Sequence, residues 1–396
     1  MSAIGPSLDV MSDELTPFRI AVAQSDLDDL HRRLDAARWP DELPDAGWDY
    51  GVAASYLRDL AEHWRRGYDW RAVEARLNTI PQLTTVIDSQ TIHALHARSS
   101  RPDAVPLMLV HGWRSTVADF LPVLRALTDP PGGQPAFHVV APSVPGFAFS
   151  GPTRERGWGL RRIAHAFGEL MRRLGYDRYL AHGGDFGSML APELSRIAPE
   201  NVLGVHVNGP LAAAPATLDW TCEDPMAGLT PDEVGAVYAA AGRWAQRSGY
   251  ATIQSTRPQT LAYALNDSPL GQLAWNLEWF VDYDPAAAVQ SPVDRDAILT
   301  NVTVFWLTGT AGSAARLYKE LGDAFAKPGA PSGVPTAVAV FPGDSAMRTL
   351  AERSLTVVRW TEYHRGGHFA SLQAPDLLVD DIRGFVREEL GLDAAA

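Results

Sequence analysis

The hydrophobic rhythm of the chain divides it into stretches of different structure. Leu27, Leu30 and Leu34 recur at helical spacing between charged residues in DLDDLHRRLDAARW, Asp26 to Trp39, and this predicts an amphipathic helix. A second helix is predicted from Val52 to Trp64. Trp39, Trp48, Trp64 and Trp70 punctuate this region and are expected to dock it on the rest of the protein. Two β-like runs follow, 84–87 and 91–95, with Asp88-Ser89-Gln90 between them reading as a hairpin turn.

From Leu107 the rhythm becomes one of strands alternating with helices. Leu107–Val110 and Phe137–Pro142 are continuous apolar runs, as expected of strands buried on both faces. Leu160–Leu174 reads as an amphipathic helix, Tyr179–Ala181 and Val202–Val207 as strands, and Met189–Ile197 as a helix. From about 213 to 325 the strand pattern stops, and the residues read as helices and loops rich in Trp and Tyr. It resumes at 336–341 and 356–360, with Phe385 and Leu390 in a closing helix. The whole predicts an α/β fold, a mostly parallel sheet flanked by helices and interrupted by one helical insertion. The expected division is an N-terminal helical extension over 1–80, a first part of the core over 81–212, a helical cap over 213–330 and a second part of the core over 331–396. Lys327–Pro335 (KPGAPSGVP) reads as the linker returning from the insertion.

Composition narrows the field of functions. The chain has 396 residues with 34 basic and 47 acidic side chains, a net charge of −13. That excludes nucleic acid and an anionic membrane as natural partners. The longest uncharged stretch, 201–218, is interrupted by prolines, glycines and polar residues, and a membrane span needs about 20 mostly apolar residues. The first fifteen residues lack a cationic start followed by an apolar run, so no signal peptide is expected and the cytoplasm is the expected location. Cys222 is the single cysteine, leaving no intramolecular disulfide and no thiolate metal cluster.

The most informative residues are His182-Gly183-Gly184-Asp185-Phe186-Gly187-Ser188-Met189. Small residues flank one polar side chain between an apolar run and a helical one. This is the pattern of a nucleophile elbow, with aspartate in place of the usual serine. An aspartate nucleophile makes an ester by attacking carbon, so the substrate should carry a strained ring or a good leaving group. An epoxide or an alkyl halide fits, and an ordinary ester fits poorly. Three further pieces agree. His111-Gly112-Trp113-Arg114 follows a strand, where backbone N–H groups can form an oxyanion hole with the one after the nucleophile. Phe341-Pro342-Gly343-Asp344 follows the next-to-last strand, and Gly366-Gly367-His368-Phe369 the last. The order nucleophile, acid, histidine is that of the α/β-hydrolases. His111 is expected to shape the oxyanion turn and transfer no protons. The histidines show no metal spacing; in His93-x-x-His96 a strand points the two side chains to opposite faces. Trp220, Trp244, Trp275, Trp279 and Trp306 read as packing, some of them lining an aromatic pocket, and Asp282 and Asp284 as solvated.

From about Phe18 to Leu390 the chain resembles the α/β-hydrolase epoxide hydrolases of the microsomal and juvenile-hormone type. GGDFGS matches that family's GGDWGS nucleophile motif and GGHFA its base motif, while IQSTRPQT and ALNDSPLG resemble its cap signatures. The resemblance implies Asp185 as nucleophile, His368 as base, Asp344 as the orienting acid, often glutamate in these relatives, and Tyr250 and Tyr318 as the two cap tyrosines. It places the oxyanion hole at the N–H groups of Trp113 and Phe186. It implies hydrolysis of a small-molecule epoxide to a vicinal diol with no metal or organic cofactor. The family's membrane anchor is missing, so a soluble bacterial member is expected, similar to those of enediyne antibiotic biosynthesis and acting on a bulky aryl epoxide, with a homodimer as the expected assembly. One departure stands out. The family usually has proline at the position of Arg114, so either the Trp113–Arg114 bond is trans in a rebuilt turn, or strain is held there. The rival readings are a dehalogenase, which prefers tryptophan where Phe186 stands, and a catalytically inactive binding protein on the same fold.

Overall fold

The structure, a computed structural model, describes residues 14–210, 218, 222–324 and 329–392. Among the described residues nine strands form one sheet: β1 (Thr16–Phe18), β2 (Gln82–Ile87), β3 (Gln90–Ala97), β4 (Val105–Val110), β5 (Phe137–Pro142), β6 (Tyr179–Gly184), β7 (Val202–Asn208), β8 (Pro335–Val340) and β9 (Thr356–Glu362). Their order is β1-β2-β3-β5-β4-β6-β7-β8-β9. The β1–β2, β2–β3 and β3–β5 pairs are antiparallel and all later pairs parallel. The expected α/β-hydrolase fold, a mostly parallel sheet flanked by helices, is therefore the one observed.

The central strands are mostly apolar because both faces are covered, with His138, His182, His206 and Asn208 as the polar exceptions. One face packs helices Leu160–Arg173 and Gly187–Ile197 through Phe167, Leu170, Leu190 and Leu194; the other packs helices Leu121–Thr128 and Pro375–Gly384 through Leu124, Leu127, Leu378 and Ile382. The hairpin between β2 and β3 turns on Asp88 and Ser89, both left-handed at φ 51° and 61°, the backbone that a two-residue turn between twisted strands requires. Gln90, read from the sequence as part of the turn, already pairs with Ile87. The closing helix ends in a π-helical turn, Phe385–Glu389, with Leu390 just past it.

Between β7 and β8 lie helices Pro231–Arg247, Gly249–Thr256, Pro258–Asp267, Pro269–Phe280, Arg295–Thr308 and Ala311–Leu321. The first begins where Thr230 and Glu233 close a reciprocal capping box, satisfying two orphan backbone donors. The linker read at 327–335 is described only from 329, and Pro335 already opens β8.

Of the N-terminal helices Gln24–Asp35 and Ala54–Arg66, the first buries Leu27 in the cluster that packs on the sheet. Their apolar faces meet the inserted helices, where Leu30, Leu57, Leu60 and Trp64 share one cluster with Leu273, Leu277, Phe280 and Val302. Trp64 is fully buried and its Nε1 donates to Thr303 Oγ1 at 2.9 Å. Arg33 reaches the backbone oxygen of Asp267 at 2.8 Å. Trp70 is buried, while Trp39 and Trp48 pack at the edge of that cluster. Among the described residues no helix is long and apolar enough to cross a membrane.

Candidate active site

The carboxyl ends of β4, β6, β7 and β8 lie side by side, the edge at which α/β sheets place their ligands. Asp185 follows the end of β6 and stands before helix Gly187–Ile197, at φ 51°. This left-handed backbone is one that aspartate tolerates better than most residues, and it lifts the carboxylate clear of the turn. The glycines make room. A Cβ on Gly187 would lie 2.9 Å from the carbonyl carbon of Val110 and nearer still to its oxygen, and one on Gly112 would lie 2.6 Å from Asp185 Cγ. The G-G-D-x-G spacing thus reflects how closely the elbow approaches β4.

Two groups hold the carboxylate. The Trp113 backbone N–H donates to Asp185 Oδ1 at 2.9 Å, and His368 Nε2 lies 3.1 Å from Oδ2. Burial works to raise the Asp185 pKa; the hydrogen bond and charge of His368, the charge of Arg114 and the Phe186 N–H outweigh it, so the carboxyl titrates below its ordinary value. Trp113 and Phe186 therefore both present backbone N–H groups to Asp185. Its side chain is 15% exposed, enough to meet a ligand and too little for bulk water to screen it.

His368 is set by its surroundings on three sides. Its backbone N–H donates to Gln290 Oε1 at 2.7 Å, its carbonyl accepts from Asn208 Nδ2 at 3.2 Å, and its ring lies 4.9 Å from that of Trp279. Asp344 is fixed by the Phe341 N–H, which donates to its Oδ2 at 3.0 Å. Burial pushes the Asp344 carboxyl up to about 6, against the pull of that N–H and of His368. Asp344 and His368 face one another across Gly209: an atom at its Cβ position would lie 3.3 Å from Asp344 Oδ1 and 3.7 Å from His368 Nδ1. The structure brings the two together without a direct hydrogen bond between them.

Opposite the carboxylate stand Tyr250 and Tyr318, their rings 5.7 Å apart and edge-on. Tyr250 stacks on Trp113 at 5.0 Å with the planes 5° apart. Burial raises both hydroxyls, Tyr318 well above its ordinary value. They are not equivalent: burial raises Tyr318 further, and the contact between the two hydroxyls raises Tyr318 while lowering Tyr250.

A cavity of about 500 Å³ opens over Asp185, His368 and the two tyrosines, with Trp244 and Trp279 in its wall. That size suits a substrate of several rings. Of the five later tryptophans, these two line the cavity; Trp220 lies outside the described residues. Behind the nucleophile a second cavity of about 30 Å³ is lined by His111, Ser115, Asp119 and His182 together with Asp185 and His368. It has room for one water and polar partners for it. His111 accepts from the Val144 N–H through Nε2 at 3.1 Å, and burial lowers its pKa to about 4, which suits a turn-shaping role.

Three features differ from the sequence reading or escaped it. Asp282 is not solvated: it is 7% exposed, paired with Arg247 at 3.1 Å and accepting from the Val289 N–H, while Asp284 is half-buried. Asp119, unremarked in the sequence, is buried on a short helical turn after HGWRST, accepts from Asn301 Nδ2 at 2.6 Å, and is raised by burial to about 6. Arg114 follows a trans peptide bond at φ 64°, so the turn is rebuilt and holds left-handed strain of about 1–2 kcal/mol. Its guanidinium turns inward and is 1% exposed. The departure from proline was visible in the sequence; its burial was not.

A sequence model for the epoxide hydrolase N terminus matches residues 15–120, and one for the α/β-hydrolase fold matches residues 105–233. A protein of Stigmatella aurantiaca named "Putative epoxide hydrolase" is 42% identical, over 94% of this chain and 85% of its own length. Epoxide hydrolase 1 of Sus scrofa is 31% identical, over 94% of this chain and 89% of its own. The crystal structure of the juvenile hormone epoxide hydrolase of Bombyx mori superposes with a TM-score of 0.83 at 25% identity, covering 94% of each chain.

Proposed function

Because the chain belongs to the epoxide hydrolases of the α/β-hydrolase fold, we propose that Asp185 opens an epoxide through a covalent aspartyl ester that His368 then hydrolyses. The observation that carries this reading is the carboxylate gripped by Trp113 N–H and His368 Nε2, facing two tyrosine hydroxyls across one cavity.

In the first step Asp185 Oδ2 attacks a ring carbon and the ring C–O bond breaks. Its electron pair goes to the ring oxygen, which Tyr250 and Tyr318 hold by hydrogen bonds and which takes a proton from one of them. Acid assistance of this kind is worth about 10²–10⁴-fold. In the second step His368 Nε2 takes a proton from water, and the hydroxide attacks Asp185 Cγ. The charge that forms on Oδ1 is stabilised by the Trp113 N–H, which donates to that oxygen at 2.9 Å, with the Phe186 N–H as the second donor. Asp344, across Gly209, balances the imidazolium. Collapse breaks the bond between Cγ and Oδ2. His368 returns its proton to the departing diol, the water oxygen stays in Asp185, and the carboxylic acid left there gives its proton to solvent, from which the tyrosinate regains one, so that both groups are restored. The aromatic wall formed by Trp244 and Trp279 supports a bulky aryl epoxide as substrate, as in a soluble natural-product pathway enzyme.

Hydrolysis of styrene oxide in ¹⁸O-labelled water, one turnover with excess enzyme, tests the scheme. Unlabelled diol is expected, its new oxygen drawn from Asp185. Labelled diol would mean that water attacks the ring directly and the covalent scheme is wrong. In His368→Gln, intact-protein mass spectrometry should find the substrate mass added to the chain.

A further inference from the structure

The arginine that replaces the family proline is the least expected charge in the molecule. Its Nε and Nη1 are buried with no acceptor among the described residues. No ion pair with a described residue reaches it, and the described carboxylates whose charges it feels are Asp185 and the half-buried Glu278. A buried, unpaired guanidinium is costly to a fold, so fold stability does not account for it. What surrounds it is aromatic. The guanidinium carbon lies 4.0 Å from the Trp113 ring centre, 4.6 Å from that of Tyr250 and 5.0 Å from that of Trp279. Three ring faces offer a cation partial compensation. Arg114 does not line the substrate cavity; it stands behind the wall that Tyr250 forms.

Resting on the roles assigned above to Asp185 and Tyr250, we propose that Arg114 is a positioning residue for ring opening, holding Tyr250 stacked on Trp113 and polarising its hydroxyl as the acid. As the epoxide opens, negative charge leaves Asp185 and collects on the ring oxygen and its tyrosine donor. A fixed cation against Tyr250 favours that transfer without moving. Of the groups around Tyr250, Arg114 acts most strongly to ease its ionisation, and the Tyr318 hydroxyl acts in the same direction. Ester hydrolysis, in which Tyr250 takes no part, draws no such benefit.

The test is a double-mutant cycle read at ring opening. Stopped-flow single turnovers of styrene oxide, followed by the fluorescence of Trp113 and Trp279, separate ester formation from ester hydrolysis. Arg114→Asn is chosen because asparagine tolerates left-handed backbone. It should slow ring opening about 10–100-fold, the scale of a lost charged hydrogen bond, and hydrolysis by less than about threefold. Combined with Tyr250→Phe, it should add less than about threefold to the loss from Tyr250→Phe alone, because residues acting through one another are not additive. Arg114→Lys, which keeps the charge and loses the planar stack, should open the ring at least about threefold faster than Arg114→Asn. Effects that multiply, equal losses in both steps, or a lysine variant as slow as the asparagine one would overturn the proposal. If Arg114→Asn does not fold by circular dichroism, Arg114→Gln runs the same cycle. Unchanged ring opening in Tyr250→Phe would instead remove the tyrosine assignment beneath the proposal, a different failure read from a different variant.

Discussion

One methyl group at Gly187 should disable the elbow. In Gly187→Ala the new Cβ would sit 2.9 Å from the carbonyl carbon of Val110 and closer still to its oxygen. The obstacle is backbone in a central strand, so no side chain can swing aside. Relief requires the elbow and β4 to part by about 1 Å in an interior packed at crystal-like density. Overpacking of this kind costs about 1–3 kcal/mol, a fall of a few degrees in Tm for a chain this long. The functional loss should be larger. The same movement draws Asp185 from the Trp113 N–H, three residues beyond Val110, and a 1 Å misplacement can cost about 10²-fold. Single-turnover ring opening of styrene oxide, with a thermal melt of the same sample, reads both. Gly235→Ala is the control: Gly235 lies on helix Pro231–Arg247 with nothing within 4 Å of its Cβ position. It should gain up to about 1 kcal/mol from the better helix former and keep the wild-type rate. A Gly187→Ala enzyme that melts and turns over like the wild type would refute the claim that close approach to β4 dictates the motif.

Acid should separate the two half-reactions. Burial raises Asp344 to about 6, whereas Asp185 titrates below its ordinary value; at pH 5 about nine-tenths of Asp344 is protonated while Asp185 keeps its charge. Between pH 7.5 and 5 ester hydrolysis should fall about tenfold and ring opening less than about twofold, so the ester accumulates in intact-mass spectra; a parallel decline would contradict the assignment. The control is Asp119→Asn, since the Asp119 carboxyl titrates in the same range and its removal should leave that separation in place. Tyr250→Phe should slow ring opening more than Tyr318→Phe, because burial raises Tyr318 further and makes it the poorer acid; the opposite order in the same assay would reverse the roles. Trp64→Ala should cost about 3–5 kcal/mol, as for other buried aromatics, and a melt within a degree of the wild type would show that the N-terminal helices are not anchored there.

Patterns with a physical reason to be local were readable from the residues. Phe137–Pro142 is apolar because it is buried on both faces, and its predicted bounds are those observed. The order of Asp185, Asp344 and His368 was readable because each stands at the end of its own strand. The C-terminal half of β6 was not, because His182-Gly183-Gly184 has the composition of a turn, although each of the three pairs with a residue of β7. β1 has three residues and no room for an alternation. Helix Trp70–Leu77 buries only two side chains, Trp70 and Leu77. Asp282 reads as a surface acid until Arg247, 35 residues earlier, is brought against it. Arg114 shows the limit most clearly: a lone arginine after Gly-Trp carries no sign that Tyr250 and Trp279, from distant segments, will join Trp113 in enclosing it.

The long reach of the N-terminal helices sets a timetable for synthesis. Trp64 meets Thr303 across 239 residues of chain, and Arg33 meets Asp267 across 234. A ribosome adding about 5–20 residues each second delivers the partner of Trp64 roughly 10–50 s after Trp64 itself. For that interval Leu57, Leu60 and Trp64 have no cluster to join, and the nascent chain presents them to water or to a chaperone. The segment made first is among the last to be sealed.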